Sequence, residues 1–72
     1  VRQAPTAGDA QADHLDGARL LWIETPSNPT LDVCDIRRLA EAATARGVLT
    51  VVDNTTATAY LQQPLALGAD YV

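Results

Sequence analysis

Two short, nearly unbroken apolar runs, Leu20-Leu21-Trp22-Ile23 and Val48-Leu49-Thr50-Val51-Val52, stand one helix-length segment apart in this chain. Runs so short, with polar residues on both flanks, suit strands covered on both faces. Between them, Ile36, Leu39, Ala40 and Ala43 recur at the i, i+3, i+4, i+7 spacing of a single helical stripe. Arg37, Arg38, Glu41 and Arg46 lie off that stripe and form a solvated face. Asp32 or Asp35 can cap the start of this helix, because a short carboxylate accepts bonds from the free amides of the first turn. Gly47 fits the position just past its end. Ala69-Asp70-Tyr71-Val72 reads as the start of a third strand. The order strand, helix, strand, helical turn, strand gives an α/β fold with a partial parallel sheet and a right-handed βαβ crossover. Both apolar runs then end on one rim, the edge where open α/β sheets bind ligands.

The flanking residues say less. Residues 1–18 are rich in Ala, Asp, Gln and Gly and read as a connecting segment or a short exposed helix end, with Pro5 and Gly8 as breakers. Residues 19–72 carry the fold. Thr55 to Gln63 reads as loop and Pro64 to Leu67 as one helical turn. His14 lies beside Asp13 and Asp16 without further converging ligands, so a solvated histidine and no metal site is expected. Cys34 is the only cysteine and reads as a small, partly buried residue, not a reactive thiol. Five arginines against nine acids give a net charge of -4 and no basic patch, which argues against nucleic acid as a partner. No apolar run approaches the ~20 residues of a membrane span, and no signal pattern opens the chain. A cytoplasmic setting is expected.

Chemistry on the predicted rim rests on three residues. Asp53 closes the second run, where an acid is costly unless paired. It either caps the next segment, binds a surface arginine, or holds a cationic ligand group. Asn28 stands in Glu24-Thr25-Pro26-Ser27-Asn28-Pro29-Thr30 after the first run. Its amide can donate and accept toward a ligand, or serve as a turn residue before proline. Thr55 offers a hydroxyl to the same edge or to nearby backbone.

Four strings in order, Trp22-Ile23-Glu24-Thr25-Pro26-Ser27-Asn28-Pro29-Thr30, Val52-Asp53-Asn54-Thr55, Ala57-Thr58 and Gln63-Pro64-Leu65 leading to Leu67-Gly68-Ala69-Asp70, carry a resemblance. From about Leu20 to Val72 the chain resembles the pyridoxal-phosphate enzymes of cysteine and methionine metabolism. These include cystathionine γ-lyases, cystathionine γ-synthases, methionine γ-lyases and homoserine-ester sulfhydrylases. The resemblance implies the large domain of a fold-type-I enzyme binding pyridoxal 5'-phosphate and a small amino-acid substrate, in a homotetrameric parent. It implies that Asp53 pairs with the pyridine nitrogen. Asn28 would meet the ring hydroxyl side or the substrate carboxylate, and Thr55 would lie close to the cofactor. A carboxylate ~4–6 Å from that nitrogen would favour its protonated form by about 1–3 pK units.

The chain contains no lysine, whereas such enzymes need one for a Schiff base. In relatives a Ser-x-Thr-Lys sequence follows the third strand within a few residues. The Schiff-base lysine is therefore expected just beyond Val72, and a 72-residue piece should be inactive alone. Thr56 and Ala59 stand where many relatives have Phe and Pro. Together with Leu31-Asp32-Val33-Cys34-Asp35, the Thr56 variant resembles a bacterial branch with γ-lyase members. The expected reaction is γ-elimination by a cystathionine γ-lyase, with γ-replacement by a synthase or sulfhydrylase as the alternative. A non-catalytic α/β binding or structural module is the alternative of a different class. A phosphate-binding module would need a glycine-rich turn after the first strand, and Glu24 to Thr30 has none.

Overall fold

The strands β1 (Leu20–Glu24) and β2 (Leu49–Asp53) pair in parallel, with Leu20 opposite Leu49 and Glu24 opposite Asp53. The computed structural model describes residues 1–72. Beyond β2, Tyr71 forms a single parallel bridge to Val51. Its N–H donates to the Thr50 carbonyl at 3.1 Å, and its carbonyl accepts from Val52 N–H at 3.0 Å. The expected third strand is thus present as this one bridge. Asp70 ties the same edge, accepting Thr50 N–H on Oδ2 at 2.8 Å.

Helix α1 (Ile36–Ala45) connects the strands, and Ile36, Leu39, Ala40 and Ala43 are all buried. Of the two capping candidates, Asp35 does the work: its Oδ1 accepts Arg38 N–H at 3.0 Å. Such a cap is worth about 0.5–2 kcal/mol. Gly47 follows the helix at φ +69°, a left-handed conformation that costs glycine nothing. Gly68 sits at φ +107°, where a Cβ would come 3.4 Å from the Ala40 methyl. The turn before the third extended segment thereby lies close against α1.

The core forms between α1 and one face of the sheet. Leu21 and Ile23 of β1 meet Val52, Leu39 and Ala43 there, with Leu39 wholly buried. Burying one such leucine is worth roughly 1.5–3 kcal/mol. Leu20 and Trp22 on the opposite face are exposed, at 48% and 66%. The expectation of two covered faces is therefore met on one face only within these residues, because α1 is the only long helix and packs on a single side.

One element departs from the sequence reading, and one expected alternative is realised. Thr58–Leu61 is a short helix, α2, where loop was expected, and none of its residues is buried. Near the start, a 3-10 helix spans Ala10–His14. The adjoining Leu15 joins the core cluster, with Ala12 and Ala18 packed against it. No helix is long and apolar enough to cross a membrane.

Candidate functional site

The register sets Glu24 and Asp53 side by side at the carboxyl ends of their strands. Thr25 N–H continues the ladder to the Asp53 carbonyl at 3.4 Å. The two loops that leave these strands therefore start from one rim, as the strand order required.

Asp53 alternates with buried Val52, so its side chain lies off the face that α1 covers. Thr55 folds back on it: the hydroxyl donates to Asp53 Oδ1 at 2.5 Å and the amide to the same oxygen at 3.1 Å. The hydroxyl bond first, then the amide bond, holds the carboxyl below its ordinary value of 3.8. Asp53 thus caps the following turn, one of its expected roles. No arginine pairs with it, since the ion pairs of the chain are Arg38–Asp9 and Arg46–Asp16. Both local bonds fall on Oδ1, so Oδ2 remains an ionised acceptor for a ligand cation.

Asn28 sits on the neighbouring loop, exposed. Around it the loop closes on itself. Ser27 is buried, its hydroxyl accepts Asp32 N–H at 3.0 Å, and it meets the Thr30 hydroxyl at 2.7 Å. Thr30 and Thr6 both donate to Asp32 Oδ2, at 2.9 and 2.6 Å. The Thr6 bond first and the Thr30 bond second hold the Asp32 carboxyl below its usual range. The Asn28 amide takes part in none of these bonds. The structure joins Asp53 and Thr55 directly, and it relates Asn28 to them only through the shared rim.

Two residues here were missed from sequence. Asn54 is buried, and its amide pairs reciprocally with Gln62: Asn54 Nδ2 donates to the Gln62 carbonyl, and Gln62 Nε2 donates to Asn54 Oδ1, both at 2.9 Å. Gln62 Nε2 also donates to the Thr25 carbonyl at 3.0 Å. Nothing in the local sequence signals this, because Thr25 lies 37 positions away.

The remaining candidates are simpler. His14 is exposed, and no three His, Cys, Asp or Glu side chains converge. Cys34 is half-buried, and burial pushes its thiol pKa up, away from thiolate reactivity. A hollow of about 880 Å³ lies along β1 beside the first residues of the chain. It includes Trp22 and Glu24 but none of Asn28, Asp53 and Thr55. It is an open trough along β1, and the rim chemistry lies elsewhere.

A family model described as Cys/Met metabolism PLP-dependent enzyme matches residues 4–72. A protein assigned as a cystathionine γ-lyase in Streptomyces coelicolor is 70% identical over 71 residues, covering 99% of this chain and 18% of that protein. A cystathionine γ-synthase of Mycobacterium tuberculosis is 56% identical over 54 residues, 75% of this chain and 14% of that one. The crystal structure of an apo methionine γ-lyase from Micromonospora echinospora superposes with a TM-score of 0.86 at 49% identity, covering 99% of this chain and 21% of its own. The chain thus spans about a fifth of the length of these relatives.

Proposed function

The chain belongs to the Cys/Met metabolism PLP-dependent enzymes, and from that premise we propose that it is part of an enzyme that cleaves the γ C–S bond of cystathionine. Residues 19–72 would form part of the pyridoxal-phosphate-binding large domain, with residues 1–18 leading into it. The reading includes a homotetrameric parent, carried over from the family resemblance, and the cytoplasmic setting expected from the sequence. The reaction itself is supported by the 70% identity to the Streptomyces protein.

One observation carries the cofactor reading: Asp53 presents an ionised carboxylate at the end of β2, held by Thr55, with no cation of the chain beside it. That donor set fits a protonated pyridine ring. When bound, pyridoxal phosphate supplies an electron sink for the pair released at the amino-acid Cα. Asp53 would hold the proton on the ring nitrogen, and the charge pairing favours that state. Thr55 would orient the carboxylate by holding Oδ1, which leaves Oδ2 available to the ring's charge. Asn28, with its amide unengaged within the chain, would meet the ring hydroxyl side or the substrate carboxylate. The lysine this chemistry requires is not among the 72 residues, so they do not supply the reaction by themselves.

The test is a product assay on the full-length protein that contains this segment, supplied with pyridoxal phosphate and cystathionine. Release of cysteine together with a 2-oxo acid and ammonia is the expected result. Formation of cystathionine from cysteine and an activated homoserine ester, without cysteine release, would favour γ-replacement, the reading that the γ-synthase similarity supports. Failure of the protein to bind the cofactor at all would leave the non-catalytic module.

A further inference from the structure

We propose that Gln62 is a positioning residue that sets the spacing between the two arms of the rim. The inference rests on the reading of Asp53 as the carboxylate that meets the cofactor. Gln62 closes α2, where its N–H donates to the Thr58 carbonyl at 3.1 Å while its backbone turns extended at φ -148°. That turn sends the side chain back toward the strand ends. There Nε2 uses both protons, one on the Thr25 carbonyl and one on Asn54 Oδ1. Thr25 is the first residue of the loop that carries Asn28, and Asn54 lies between Asp53 and Thr55. A single planar amide therefore bridges the arm with the neutral amide and the arm with the carboxylate.

The chemistry of the bridge is specific to an amide. Both contacts at Nε2 are acceptors, so the bridging atom must donate twice. A thioether of similar length fills the space and donates nothing. Asn54, buried against Gln62, would then lose the partner of its oxygen, and a buried acceptor left unpaired is penalised, which favours rearrangement toward water or another donor. Asparagine retains the donor but is one methylene too short to meet both acceptors from the same backbone. A site that must hold a ring at fixed height loses affinity when such supporting contacts slacken.

The experiment uses the full-length holoenzyme with Gln62→Met and, should that variant fail to fold, Gln62→Asn. Two quantities are read: the Kd of pyridoxal phosphate for the apoenzyme, and the visible circular dichroism of the bound cofactor at saturation. The cofactor is achiral, so its dichroic band reports the orientation the protein imposes. Thermal melts of apo and holo forms accompany both. The expected result is a Kd raised about tenfold or more, the scale of loss that misplacement of a site brings, with an altered band per bound cofactor. A purely structural role would lower both melts together and leave Kd and band unchanged, and that result would overturn the proposal. Asp53→Ala separates the two layers. If it abolishes tight binding while the Gln62 variants keep a native Kd and band, the bridge falls and the Asp53 reading stands. If Asp53→Ala binds normally while the Gln62 variants do not, Gln62 acts on binding by another route, and the Asp53 reading falls together with the bridge that rests on it.

Discussion

The loop after β1 and the segment after β2 leave the same rim but are held in different ways. The first is closed chiefly by its own residues, with outside bonds from Thr6 to Asp32 and from Gln62 to the Thr25 carbonyl. Ser27 N–H donates to the Asp32 carbonyl and Leu31 N–H to the Ser27 carbonyl, both at 2.9 Å, and Ser27, Thr30 and Asp32 link their side chains. The second is held from farther along the chain, through the Asn54–Gln62 amide pair. Its local bonds instead serve a charge, with Thr55 folded onto Asp53. The contrast suggests a division of labour. The first loop is shaped chiefly by its own bonds, with Asn28 on its surface, and the second aims an ionised group whose placement depends more on contacts outside the loop.

The most severe way to break that contrast is Asp53→Ala in the full-length enzyme. A carboxylate that favours the ring cation by about 1–3 pK units is worth roughly ten- to a thousandfold in that equilibrium. Turnover should fall by a comparable factor and cofactor binding should loosen. Near-normal turnover with tightly held cofactor would remove Asp53 from the site. Asn28→Ala should cost less, about two- to tenfold in kcat/KM, since a neutral hydrogen bond contributes about 0.5–1.5 kcal/mol. Should the two losses come out equal, the arms share the chemistry more evenly than their geometry suggests. Ser27→Ala probes the first loop as a structure. It removes a buried hydroxyl with two partners and should lower stability by about 1–3 kcal/mol. Denaturant unfolding measures this, and an unchanged midpoint would mean that the remaining bonds suffice to close the loop.

The same contrast explains what could be read from sequence. The α1 stripe, an aspartate cap at Asp32 or Asp35 and the following Gly47 were legible because each is a local pattern of helix geometry. The parallel pairing of β1 with β2 followed from their spacing, and it carried Asp53 and Asn28 to one edge. The apolar runs report tolerance for burial on both faces but not what lies on each, and one long helix among these residues covers only one of them. The four residues of α2 gave no stripe to detect, since none is buried. Leu15 entered the core from a segment with no apolar period around it. Gln62 was invisible for a further reason: its importance comes from two acceptors that only tertiary structure brings to it.

Thr55→Val sharpens the second arm without removing its charge. Asp53 is held below its ordinary carboxyl value chiefly by the Thr55 hydroxyl and less by the Thr55 amide. A depressed native pKa contributes stability above the ordinary value, and that contribution is lost as pH falls through the native one. Valine deletes the larger cause and keeps the amide, so the Asp53 pKa should rise toward 3.8. The acid loss of cofactor binding should then begin at a higher pH than in the unsubstituted enzyme. Titrating cofactor affinity against pH measures this. An unmoved acid limb would show that the hydroxyl does not set the charge.

Thr58→Gly should have the smallest effect, and with the opposite sign. Thr58 opens α2 at φ +63°, a left-handed conformation costing an L residue roughly 1–2 kcal/mol. Glycine escapes that cost but gives back about 0.5–1 kcal/mol in chain entropy. The backbone bonds from Thr58 N–H to the Asn54 carbonyl at 2.8 Å, and from Gln62 N–H to the Thr58 carbonyl at 3.1 Å, do not depend on the side chain. Only the long 3.3 Å bond from Tyr60 N–H to the Thr58 hydroxyl is lost. The balance is a gain of about 0.5 kcal/mol, read as a slightly higher unfolding midpoint with unchanged cofactor affinity. A lower midpoint with weakened cofactor binding would mean that the threonine side chain itself holds the second arm in place. Its side chain would then belong with Gln62 among the contacts that position Asp53.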